Sequence, residues 1–169
     1  MSLVLRAARP GDGRRIEEIR VAGWHAAYAG LIDPDWLAAF AVEDRRVASW
    51  EDRIAQPTPG STTLVAEVDD LVRGFSVVLP SRDDDVPDAG ELAALYIDPA
   101  FWCSGLGSAL LLQGLTHLQQ DEQVLWVLAG NAPARRFYEW HGFAPDGAHK
   151  LLDIGGNVPE MRYRRPRIA

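Results

Sequence analysis

Two segments carry residue types whose order and spacing could do chemistry. The first reads Leu95-Tyr96-Ile97-Asp98-Pro99 and, after a short gap, Gly105-Leu106-Gly107-Ser108. A strand that turns into a helix through glycines leaves successive backbone N–H groups unpaired, and the helix dipole adds partial positive charge there. That is an anion site, suited to a pyrophosphate that the glycines allow to approach the backbone closely. A G-x-G pair alone is equally a plain tight turn. The second segment, Asn131 to Phe143, reads N-A-P-A-R-R-F-Y-E-W-H-G-F. Asn131 can cap a helix, Pro133 suits its first turn and Gly142 its C-terminal end. Phe137 and Trp140 can pack inward. Tyr138 is either a proton donor or a buried aromatic with a bonded hydroxyl.

Composition removes other chemistries. The chain has 169 residues, one cysteine and a formal charge of −7. That length fits one domain with a substantial core. Cys103 alone can form neither an intrachain disulfide nor a cysteine-rich zinc site. His25, His117, His141 and His149 show no metal-ligand spacing, so no metal is expected. Lys150, the sole lysine, is followed by Leu151, which excludes a G-K-[ST] phosphate loop. It lies in a polar stretch that reads as a turn. A dinucleotide fingerprint also fails: Leu110 stands where its third glycine belongs, and no acid ends the strand at 124–128. Net acidity argues against a nucleic-acid partner. The basic cluster Arg162, Arg164, Arg165 and Arg167 reads as a solvated edge strand and tail. No targeting segment or membrane span is visible, so a cytoplasmic protein is expected. The arginine and alanine bias suggests a GC-rich bacterial genome.

Hydrophobic periodicity supplies the elements that must position these segments. Strands are expected at 3–8, 62–68, 72–79, 91–97, 124–128 and 158–164. Helices are expected from Asp12 to Tyr28, Asp33 to Phe40, Glu43 to Ile54, 106–119 and 132–141. Asp69-Asp70 makes a hairpin turn, and 81–90 is an acidic loop. The helix at 106–119 crosses over between parallel strands. The class is mixed α/β or α+β, in a single domain spanning 1–169.

With these elements in place, the chain resembles the GNAT superfamily of acetyl-CoA-dependent N-acetyltransferases. The resemblance rests on the strand ending Leu-Tyr-Ile-x-Pro, the following G-x-G-S-x-L-L, a strand ending in Asn, and A-x-x-F-Y-E-x-x-G-F from Ala134 to Phe143. It covers about residues 62–144 well and the flanks in outline. It implies a central sheet of about six to seven strands in which two parallel strands splay apart. Acetyl-CoA would lie in that opening as cosubstrate, with acceptor-side helices at about 11–56. Backbone groups of Leu95, Tyr96 and Ile97 would hold the pantetheine and polarise the acetyl carbonyl. The amides of Cys103, Ser104, Gly105, Leu106, Gly107 and Ser108 would hold the pyrophosphate, and Asn131 would contact the cofactor. Tyr138 would protonate the departing thiolate, without an acyl-enzyme.

A base must free the attacking amine. Glu91 is the candidate, since simple alternation puts it on one face with Leu95 and Ile97; a solvated strand-start acid is its plain alternative. Trp24, His25, Tyr28 and Trp36 could line a pocket for a small-molecule amine, or pack the helices. The chain departs from the family pattern at Trp102-Cys103-Ser104, where a basic side chain is missing and a glycine is replaced by cysteine. A lost charge-assisted bond would cost about 1.5–3 kcal/mol of cofactor affinity unless a group such as Arg136 compensates. That loop motivates an alternative: a non-catalytic acyl-CoA-binding or regulatory module. A structural domain with a decayed site would instead show a closed cleft. A homodimer is compatible with the edge strands and tryptophan-rich helices. Residues 67–91 hold eight acids and two arginines, either a solvated stretch or a lure for a cationic amine.

Overall fold

The structure, a computed structural model, describes residues 2–166. Strands β1 (Leu3–Ala7), β2 (Thr62–Val68), β3 (Leu71–Pro80), β4 (Gly90–Ile97), β5 (Glu122–Leu128), β6 (Ala144–Asp153) and β7 (Asn157–Pro166) form one sheet. Helices α1 (Gly13–Ala27), α2 (Pro34–Ala39), α3 (Asp44–Ala55), α4 (Leu106–Leu115) and α5 (Ala132–Trp140) flank it. The seven strands run in the order β1-β2-β3-β4-β5-β7-β6. β4 and β5 are parallel and the other neighbours antiparallel. This is the expected mixed single-domain class.

The two faces are covered separately, as amphipathic elements require. On one face Ile16 and Ile19 of α1 and Trp50 of α3 pack with Val65, Val72 and Phe75. On the other, Leu111 and Leu115 of α4 pack with Val78, Leu92, Leu125, Val127 and Tyr163. Ala134, Phe137 and Tyr138 of α5 join that second core. Trp140, expected to pack inward, is exposed instead.

β6 is absent from the sequence expectation, because Pro145 and Gly147 break its alternation and its register with β7 slips between Pro145 and His149. Lys150 therefore sits in a strand, not a turn. The addition of β6 also moves β7 off the edge. Arg162 and Arg165 are consequently buried rather than solvated, while Arg167 lies outside the described residues. Arg162 pairs with Asp83, Asp85 and Asp146, and Arg165 donates to Gln123 Oε1 and the His141 carbonyl. Four of the eight acids in the stretch 67–91 are thus paired, since Glu67 pairs with Arg6 and Glu91 with Arg82 as well.

Candidate active site

β4 and β5 pair through Gly90–Gln123, Glu91–Val124 and Leu92–Leu125, and no further. Beyond Leu92 the two strands part. A cavity of about 840 Å³ passes through the gap. Its α4/α5 end is lined by Phe101, Trp102, Cys103, Gly105, Gly107 and Ser108. Asn131, Pro133, Phe137 and Tyr138 continue that wall. At its α1 end stand Trp24, Tyr28, Tyr96, Trp126, Lys150 and Glu160. The cleft is open, contrary to what a decayed site would show.

The loop before α4 is built as an anion cradle. Asp98 caps the short turn Pro99–Phe101 by accepting from the Ala100 N–H at 3.2 Å. Ser104 Oγ donates to the Phe101 carbonyl at 2.6 Å. Gly105 takes a left-handed conformation (φ 89°), and its carbonyl accepts the first intrahelical bond, from the Ala109 N–H. The N–H groups at the start of α4 are then free to point at a ligand. Gly107 packs against the Phe137 ring, which a Cβ there would meet at 3.4 Å, an ordinary contact. The residues therefore fit a pyrophosphate held by backbone. The side chain of Leu106 is core, and Ser104 does not line the cavity, so only their backbone groups are candidates. Asn131 faces the cleft while its Oδ1 caps α5 at the Ala134 N–H.

Trp102 fixes the shape of the loop that lacks the basic side chain. Trp102 Nε1 donates to the Ile97 carbonyl at 2.9 Å, pinning the loop to the end of β4. Arg136 does not line the cavity. Cys103 is exposed with φ of 59°, a left-handed conformation that suits glycine. Relief of that strain, about 1–2 kcal/mol, outweighs the extra unfolded-chain entropy of glycine, about 0.4–1 kcal/mol. Cys103→Gly is therefore expected to raise stability by about 0.5–1 kcal/mol in urea unfolding. Destabilisation would contradict this account of the loop.

Tyr138 projects from α5 into the junction of the two ends, against Phe137 and Phe143. Burial pushes its phenol above the ordinary tyrosine range, so it stays protonated at neutral pH. Trp24 Nε1 donates to the Tyr96 hydroxyl at 2.9 Å, and Tyr28 bonds the same oxygen. Burial raises both phenols too.

Glu91 and His25 lie elsewhere than expected. The pairing of β3 with β4 passes from Val77–Ala94 to Val78–Leu92, so Ala93 is an extra, bulged residue. The bulge inverts the alternation. Leu92 and Leu95 share the α4 face, and Glu91 falls on the α1 face with Ala94 and Tyr96. Its carboxylate is buried, and both oxygens are held by Arg82, at 2.5 and 3.1 Å, with the Arg82 backbone N–H as well. His25 is exposed, its Nε2 2.7 Å from the Phe40 carbonyl, outside the cavity lining. Trp36 stacks on Trp24 and Phe40 behind the wall. Arg82, Trp126, Lys150 and Glu160 line the site without having been singled out in the sequence. Arg82 stands in the 81–90 loop, the strands of the other three meet only through β7, and the β6 that carries Lys150 was itself not evident. Among the described residues, no group of three or more His, Cys, Asp or Glu could hold a metal ion. No helix among them is long and apolar enough to cross a membrane.

A splayed parallel pair with an anion cradle at one end and an aromatic pocket at the other suits an elongated ligand that carries phosphate. The Acetyltransferase (GNAT) family profile matches residues 26–143, more than half of the chain, and the chain belongs to that family. A probable N-acetyltransferase of Mycobacterium tuberculosis is 29% identical over 170 residues, covering 98% of this chain and 94% of the relative. A mycothiol acetyltransferase of Kocuria rhizophila is 38% identical over 108 residues, covering 60% of this chain. The match spans only 34% of that longer protein. Among solved structures, the PaiA N-acetyltransferase of Thermoplasma acidophilum in complex with coenzyme A superposes with a TM-score of 0.77 at 21% identity. That superposition covers 99% of this chain and 100% of the other.

Proposed function

We propose that the protein transfers an acetyl group directly from acetyl-CoA to the primary amine of a small molecule. The observation that carries this reading is the continuous cavity through the splay, with Tyr138 where its two ends meet. The amides of residues 103–108 hold the pyrophosphate, and the unpaired backbone of Leu95, Tyr96 and Ile97 aligns the pantetheine and polarises the acetyl oxygen. Attack by the neutral amine forms the C–N bond as the C–S bond breaks. Tyr138 hands its proton to the departing sulfur and regains one from the new amide nitrogen. Support for a small acceptor comes from the enclosed aromatic wall of Trp24, Tyr28 and Trp126. The relatives named for mycothiol point the same way, although this chain spans only 34 to 46% of three of them.

The Trp102-Cys103-Ser104 loop favours a second reading, a non-catalytic acyl-CoA-binding module. Calorimetric titration with acetyl-CoA tests what the two share: saturable one-to-one binding is expected, and its absence ends both.

A further inference from the structure

We infer that Glu160 is the carboxylate that takes the proton from the incoming ammonium, in a pocket on the α1 side of the sheet. The inference rests on the transferase reading above. Glu160 stands on β7 opposite Leu128, at the level where β5 has already left β4. Leu128 packs with Ile32 and Leu37, which puts Glu160 on the α1 and α2 face, the acceptor end of the cavity. Its side chain is only 13% exposed. The ion pair made to it is long, with Lys150 Nζ 3.6 Å from Oε2. Lys150 is meanwhile drawn over the Trp126 ring, 4.0 Å from its centre.

Glu91, the other carboxylate in the cavity, is differently placed. Arg82 engages both of its oxygens, and its backbone N–H adds a third bond, so the carboxylate is already occupied. Glu160 keeps lone pairs available, and burial pushes its carboxyl above the ordinary glutamate value. The charged groups facing it act in both directions: Lys150 on β6 and Arg82 beyond β3 favour its anion, and Glu91 on β4 opposes it. The phenols of Tyr28, just past α1, and Tyr96 on β4 also sense it and stay neutral. A carboxylate that binds protons better than usual suits a general base.

The protons balance. The ammonium gives one proton to Glu160, leaving a neutral amine that attacks the acetyl carbon. Tyr138 supplies the thiol proton and recovers one from nitrogen. Glu160 then releases its proton to solvent through the open cavity, so each turnover yields amide, free thiol and one proton.

The test is the pH dependence of kcat/KM for the full chain with acetyl-CoA and tryptamine, putrescine or glycinamide, whichever supports the fastest thiol release. In the wild type the rate climbs as pH rises through the Glu160 value, because the ionised form accepts the proton. The amine's own ionisation adds a separate limb at higher pH in every variant. Glu160→Gln is expected to lower kcat/KM about 100-fold, abolish the lower limb and leave acetyl-CoA affinity unchanged. Glu160→Asp restores part of the rate and the limb, and Glu91→Gln keeps the limb. A lower limb that survives in Glu160→Gln overturns the assignment and leaves the transferase reading standing. A wild type that binds acetyl-CoA but releases thiol with none of the amines overturns both.

Discussion

Tyr138→Phe is expected to lower kcat about 100-fold or more, with little change in acetyl-CoA affinity or in unfolding temperature. The substitution removes one hydroxyl and keeps the ring. The ring contacts to Phe137 and Phe143 hold α5 on the second core, so they survive. On the proposed mechanism, what is lost is the proton donor to the departing thiolate. Its burial keeps the phenol protonated over the whole neutral range. Stopped assays of thiol release report kcat, and calorimetry reports binding. A fully active phenylalanine variant would show that Tyr138 is a packing aromatic.

Arg162→Met is expected to cost about 3 kcal/mol of stability, and so about 6–12 °C in unfolding temperature for a domain of this size. Arg162 is a buried hub. Its guanidinium reaches Asp146 at 2.6 Å, Asp85 at 2.7 Å and Asp83 at 3.1 Å, and it lies near the Trp126 ring. Methionine replaces the stem but leaves Asp83 and Asp146 with uncompensated charge in a shielded place. The figure sits at the low end for a broken buried pair because Asp85 is 66% exposed and can be solvated. Asp83 also accepts from Trp126 Nε1 at 2.8 Å. The same change therefore loosens the loop at 81–90 from β5 and disturbs the acceptor wall that Trp126 forms. Urea unfolding checks the stability, and a loss below about 1 kcal/mol would mean the hub is solvent-like.

Much of this architecture is legible in the sequence because it is local. The glycines before α4 and the Asn-capped helix with Gly142 are signalled by residues that no other geometry suits as well. The elements from β1 to α5 follow from hydrophobic period, and the resemblance supplies the splay. What stays hidden is set by partners far along the chain. The Arg162 hub joins residues 77 and 79 positions apart. The bulge at Ala93 lies in an Ala-Ala pair with no glycine or proline to betray it, yet it decides which face Glu91 occupies. β6 hides behind Pro145 and Gly147, and with it goes the strand neighbour that brings Lys150 to Glu160. Alternation locates a side chain only as far as the next irregularity in the strand.

The most direct test of the central claim, direct acetyl transfer to an amine through the splayed cleft, is release of the CoA thiol from acetyl-CoA across a panel of primary amines, with each product weighed by mass spectrometry. The account predicts amine-dependent thiol release, one acetyl group gained by the amine for each thiol, and no acetyl group on the protein when acetyl-CoA is mixed with it alone. Saturable binding of acetyl-CoA without thiol release from any amine would contradict it.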